Sequence, residues 1–418
     1  MKKLLLLSAL AVFALSGCKK YKNKEVYANC PIYMTDAEFD QSFEFRTDVQ
    51  MVQSGNIHVF NSWIFVSDED RGIHIVDNQD PYNPYPIGFM NIIGNTDLAV
   101  QGSYLYANSV MDLLVIDISD MTNPQLVTRV EDVFDYATPA LEDPSYPVAD
   151  VDREKGIVIG WEIKKTKDVS GVGAKFFVKD CPECDDTNEQ MAEAKISTRT
   201  GLAGSMSKFI IQDGYLYTIN NNALITFSLS NPREPNQTSD NPTWREAETL
   251  FPYEDYLFIG TTTGMLIYDR ISNPDRPKEI SEIDHTEACD PVVVQGDYAY
   301  VTLRSGNDCG QTVNELQIVD ISNIRFPWVR KTFDMHNPHG LGVDGDLLFI
   351  CDGDDGLKVF DNSNPKKVGD NIRFQFHNVH ARDVIVNDGI LVLIGDDGVS
   401  QYDYTNPSDI TFMSLLTF

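Results

Sequence analysis

The chain has 418 residues, 42% of them hydrophobic and 11% aromatic, enough for a folded core, which excludes a disordered polymer. Its 63 acidic side chains against 33 basic ones give a formal net charge of −30 at pH 7. A field of that sign repels phosphate backbones, so no nucleic acid is expected as a partner; it favours solubility at a crowded surface and attracts cations.

Residues 1–17 read as an export signal, with Lys2 and Lys3 ahead of an apolar run from Leu4 to Leu15 that is too short for an ordinary membrane span. The Leu-Ser-Gly-Cys stretch ending at Cys18 resembles the lipobox of bacterial lipoproteins. The resemblance implies cleavage before Cys18, acylation of Cys18 (palmitate among the chains) and a lipid anchor with no transmembrane helix. A plain secretory signal with an incidental cysteine is the other reading. No Asp follows Cys18, so the expected address is the bacterial cell envelope, at the outer membrane. Residues 18–55 are expected to form a basic tether and an N-terminal segment in which Ser42 to Gln50 alternates like a strand, available to the first or last repeat.

From residue 56 to residue 418 one pattern recurs. Strand-like runs end at Asp77, Asp117, Ser228, Asp269, Asp320, Asp361 and Asp403, a step of about 40 residues with one long gap between Asp117 and Ser228. The complete unit from Asp97 to Val130 holds four short β-rich runs separated by turn residues, which predicts a four-stranded antiparallel meander. A single meander cannot bury both of its faces, whereas radial stacking of several does, so the fold class is all-β, a β-propeller.

First hairpins are predicted at Asn56 to Val66, Asp97 to Ala107, Val148 to Trp161, Lys208 to Ile219, Leu250 to Gly260, Pro291 to Leu303, Leu341 to Ile350 and Asp383 to Ile394. That is one more hairpin than third strands. Eight blades are expected if the runs Ala174 to Lys179 and Ala194 to Arg199 complete the odd one. The alternative is seven blades, with Tyr136 to Gly204 a long irregular insertion over one face. Units such as Val293 to Val301 and Leu316 to Asn323 resemble the LVIVD-repeat family. That resemblance implies a secreted or surface β-propeller, commonly a lipoprotein, with no agreed biochemical activity. The third unit is weak, and Ser228 replaces the strand-ending Asp.

Six cysteines besides Cys18 in an exported chain permit disulfides. Cys289 and Cys309 flank one first hairpin and form the expected bridge. Cys181 and Cys184 form a lone C-x-x-C, better suited to a local disulfide than to zinc, which wants four ligands.

Two constellations bear on chemistry. His336 and His339 recur one unit later as His377 and His380, each pair ahead of an inner strand. Four imidazoles at one channel mouth would suit a transition metal or another ligand, and the same residues also suit ordinary turns. Acidic hairpins at Ser67 to Gly72, Cys351 to Gly356 and Gly395 to Gly398 supply oxygens for calcium, although no complete twelve-residue calcium loop is present and Asp and Gly are also turn formers. No cofactor is expected outright. There is no G-x-S-x-G elbow, phosphate loop or H-E-x-x-H motif, so catalysis has no sequence support. Trp63, Trp161, Trp244 and Trp328 suit blade packing, and any exposed one suits a sugar face.

The leading expectation is a lipid-anchored, non-catalytic scaffold recognising protein or glycan. Its rivals are a metal-dependent hydrolase or lyase using the four histidines, and a structural subunit of an envelope complex docked through Tyr136 to Gly204.

Overall fold

A strand buried on both faces must carry apolar side chains in both directions, and the third strand of each repeat does so. In Asp112–Asp117, Leu114 and Ile116 pack with Phe65, Ile73 and Ile75 of the preceding repeat, whereas Leu113 and Val115 pack with Phe209, Ile225 and Phe227 of the next. This computed structural model describes residues 25–167, 169, 200–284, 291–304, 313–377 and 379–417. The expected signal peptide, Cys18, the basic tether up to residue 24, Cys181, Cys184, Cys289, Cys309 and the runs Ala174 to Lys179 and Ala194 to Arg199 lie outside those residues.

The chain divides into two compact units, Met1–Phe39 with Thr138–Phe176, and Asp40–Ala137 with Phe177–Phe418. The second unit is the propeller. Its inner strands neighbour one another in a closed cycle: Ser54–Phe60, Leu98–Gln101, Phe209–Gln212, Ala247–Tyr253, Val292–Gln295, Leu341–Asp344, Ala381–Asn387, and back to Ser54–Phe60. Each begins a four-stranded antiparallel meander, so the ring has seven blades. One apolar cluster fills each seam between blades, and every Leu or Ile buried there contributes about 1.5–3 kcal/mol. The first blade is extended on both edges: Glu44–Arg46 adds to its outer strand Tyr85–Asn91, as the alternation after Ser42 anticipates, and Leu202–Ala203 adds to its inner strand.

The expected eighth blade is corrected to seven. Val148 to Trp161 is not a blade hairpin: Arg153–Lys155 forms a single 3-10 turn capped by Asp152, and Ile157–Thr166 runs on as one strand paired with Val26–Met34 in a separate two-stranded sheet. Gly156 makes that turn feasible. Its φ is +112°, and a Cβ there would fall 2.1 Å from the Met34 carbonyl oxygen. Asn29, fully buried, donates from Nδ2 to the carbonyls of Asp143 and Tyr146, and the Trp161 indole donates to that of Pro139.

The strand-ending Asp of the repeat is a turn cap. Asp77, Asp117, Asp320, Asp361 and Asp403 each accept the backbone N–H two residues on, at 2.9–3.2 Å, and where that residue is Ser or Thr its hydroxyl joins in at Asp320, Asp361 and Asp403. Ser228 does the same through its hydroxyl at a longer 3.4 Å, so the departure from the pattern weakens the cap without removing it. The turn that follows then accepts a bond from the neighbouring blade. Tyr106 donates to the Pro232 carbonyl, Tyr217 to that of Pro274, and Tyr300 to Asn362. Repeat chemistry and ring packing are therefore one feature.

Closure of the ring joins the two ends of the propeller without exchanging strands: the first blade comes wholly from residues before Leu98 apart from Leu202–Ala203, and the last wholly from the C-terminal end. Gln401, fully buried, exchanges two amide hydrogen bonds with Asn78 and donates to the Pro81 carbonyl beside the cluster that unites Ile57 and Val66 with Ile385 and Ile394. Gln401→Ala removes both amide bonds to Asn78 and one of the two donors to the Pro81 carbonyl, the other being the Ser414 hydroxyl, and is expected to lower the unfolding free energy in urea by about 1–3 kcal/mol. An unchanged transition would mean that apolar contact alone closes the seam.

Candidate functional site

Seven inner strands surround an axial space, and a stretch of the chain's own backbone runs along it. Residues 200–208 run past one inner strand after another. Thr200 bridges Gln101, the Gly201 N–H reaches the Val100 carbonyl, Leu202 and Ala203 pair with Val59 and His58, and the Gly204 N–H reaches the Ile57 carbonyl. The Ser205 hydroxyl then accepts the Leu341 N–H at 2.9 Å, and the Ser207 carbonyl accepts that of Leu250 at 2.8 Å.

Two buried carboxylates hold this segment. Asp383 accepts from the Ser205 hydroxyl (2.8 Å) and from the N–H groups of Ser205, Met206 and Val384. Asp97 accepts from His58 Nε2 (2.7 Å), the Ser207 hydroxyl (2.8 Å) and the N–H groups of Leu98, Lys208 and Phe209. Both are fully buried. The approach to Asp383 is so close that a Cβ on either Gly204 or Gly340 would lie 2.0 Å from one of its oxygens. Neither aspartate was singled out from sequence as functional. The available signal was that these two, alone among the predicted hairpins, begin with a carboxylate.

The four predicted histidines do lie on the connections leading into inner strands, but they meet different partners. His339 is half-buried; its Nε2 accepts from Arg304 Nη1 (3.4 Å) and Asn337 Nδ2 (3.3 Å), and its carbonyl accepts the Thr302 hydroxyl. Burial, with Arg304 and Arg382 beside it, pushes its pKa down to about 4, so it is a neutral acceptor at pH 7. His380 is exposed and pairs with Asp397 (3.1 Å). His336 and His377 are exposed and both face Asp355, whose carboxyl is held below the usual range first by Lys358 and then by these imidazoles. Among the described residues no three His, Cys, Asp or Glu side chains are arranged to hold a metal ion.

The acidic hairpins act mainly on backbone. Asp68, buried, accepts the N–H groups of Val52 and Gln53 and pairs with Arg71; Asp352, also buried, accepts those of His336 and Asn337 and contacts Lys358. Asn108 does the same for Thr96 and Asp97 in the second blade. Cys351 is a buried thiol whose pKa burial pushes well up, and Cys30 is a half-buried one; both are free. Of the tryptophans, Trp161 is buried and Trp63 half-buried, Trp328 lies under Arg330, and Trp244 stands 87% exposed.

Seven meander blades around one axis define a β-propeller. Four of them, the second, fourth, fifth and sixth, match the LVIVD repeat, over residues 94–132, 245–285, 287–328 and 339–368. No protein of curated function matches the sequence. Among solved structures, the computationally designed Ika8 protein is similar, with a TM-score of 0.51 at 9% identity over 89% of this chain and 92% of that one. A putative 6-phosphogluconolactonase from Bacteroides uniformis has a TM-score of 0.50 at 9% identity over 78% and 83%. At such identity the likeness is one of fold alone.

Burial raises the Asp383 pKa from 3.8 to about 6, against the lowering effect of its hydrogen bonds. A folded carboxyl with a raised pKa binds its proton more tightly than the unfolded chain does, so its contribution is fully present below pH 4 and is lost as pH rises through 6. The wild-type advantage in unfolding free energy over Asp383→Asn is therefore expected to shrink by about 3 kcal/mol between pH 3.5 and pH 7. A difference that stays constant or grows with pH in matched denaturant titrations would contradict the assignment.

Proposed function

We propose that this protein is a non-catalytic recognition scaffold of the bacterial cell envelope, exported, acylated at Cys18 and held at the outer membrane by its lipid. The observation that carries this reading is the backbone of residues 200–208 running along the axis. Where a propeller enzyme would gather reactive groups, residues 200–208 satisfy Asp97 and Asp383 with backbone and hydroxyl donors, which leaves the loop faces as the surfaces for a ligand. The charge of −30 supports a soluble domain displayed at a surface, and the ligand classes that fit are protein and glycan.

The full chain in detergent, applied to glycan arrays and to arrays of outer-membrane proteins, is expected to bind at least one ligand saturably without converting it, and wild type but not Cys18→Ala is expected to incorporate labelled palmitate. No saturable ligand, or turnover of a bound one, would overturn the scaffold; acylation of the Cys18→Ala chain would overturn the anchor.

A further inference from the structure

Trp244 occupies the connection between the third and fourth blades with φ +57°, in the left-handed region that a bulky side chain adopts only under constraint, and its side chain is 87% exposed. The constraint is visible on both sides. The Thr243 N–H donates to the Asn222 carbonyl (2.7 Å) and its hydroxyl to the Arg245 carbonyl (2.7 Å), while the Ala247 N–H reaches the Asn221 carbonyl and the Thr262 N–H reaches that of Glu246. Arg245 is fixed in turn by the Thr263 carbonyl and, at 2.7 Å each, by Glu282 and Asp284. Thr243 is buried, so the loop is pinned while its middle residue is held out in solvent.

We propose that Trp244 is the stacking platform of a carbohydrate site that takes a pyranose ring of a neutral glycan, a proposal that rests on the recognition reading above. An indole face exposed on a pinned loop offers a large apolar surface with no backbone to order, which the C–H face of a pyranose matches. Its sequence neighbours are Thr243 and Arg245, and the loop is tied through backbone groups to the polar residues Asn221, Asn222, Thr262 and Thr263, so no contiguous apolar protein patch flanks it. Glu282 and Asp284, each spending one carboxylate oxygen on Arg245 and exposed by 50% and 76%, are acceptors for those hydroxyls. Their charge, in a chain of net charge −30, disfavours acidic sugars.

The test is tryptophan emission of the full chain in detergent titrated with cellohexaose, maltoheptaose, chitohexaose and mannohexaose, for wild type, Trp244→Tyr, Trp244→Ala and Trp244→Gly. Wild type is expected to bind at least one saturably, Trp244→Tyr to retain weaker binding, and Trp244→Ala and Trp244→Gly, followed by calorimetry, to lose at least about tenfold in affinity, the size of one lost aromatic stack. Trp244→Gly is also expected to melt at the same or a higher temperature, because glycine adopts this φ freely. Undiminished binding by Trp244→Ala would overturn the site and leave the scaffold reading intact. Wild type that binds none of the four but saturably binds a protein or an acidic glycan would overturn the neutral-glycan proposal alone, and binding of nothing at all would overturn both.

Discussion

A closed ring of sheets leaves a hole along its axis, and polar backbone cannot sit in that hole without partners. This chain resolves the problem with two buried carboxylates. Asp97 and Asp383 hold residues 200–208 across the axis, and the same segment supplies the hydroxyl or carbonyl that inner strands at Leu341 and Leu250 need. A glycine is required at position 204, where a Cβ would lie 2.0 Å from an Asp383 oxygen. The rest of the ring follows from repetition: each seam carries an apolar cluster, and capped turns reach across several seams to the neighbouring blade.

The propeller was legible because its signal is local. The apolar run in strands such as Asp112–Asp117 and the Asp that ends six of the seven third strands recur at a step of about 40 residues outside one long gap, and each has a physical role inside one blade or between adjacent ones. The number of blades was not legible in the same way. Val148 to Trp161 carries the apolar pattern of a first hairpin, but its strand finds its partner at Val26–Met34, and a pairing across more than a hundred residues leaves no mark on a repeat period. The axial segment was hidden for a related reason. Thr200 to Lys208 has the Gly, Ser and Ala content of a linker, and only the ring around it reveals why small residues are needed there.

Sequence placed the four histidines on the right connections, yet could not say what each would face. His339 meets Arg304 and Asn337, which turn it into a neutral acceptor, whereas His380 meets Asp397 and His336 meets Asp355. Trp244 shows the reverse case. Its residue type was noted as one of four tryptophans, but its left-handed backbone and pinned loop are properties of the folded turn. Under the proposed function recognition falls on the peripheral loops, where sequence can vary without disturbing the ring.

The most direct measurement of the central claim is amide hydrogen exchange at Gly201, Gly204, Ser205, Met206, Lys208 and Phe209 of the native protein. If these residues are bonded along the axis, their amides exchange as slowly as those of the inner strands Leu98–Gln101 and Ala381–Asn387, through global unfolding. Exchange as fast as that of an exposed turn would contradict the account, because the segment would then be a surface linker and the axis open.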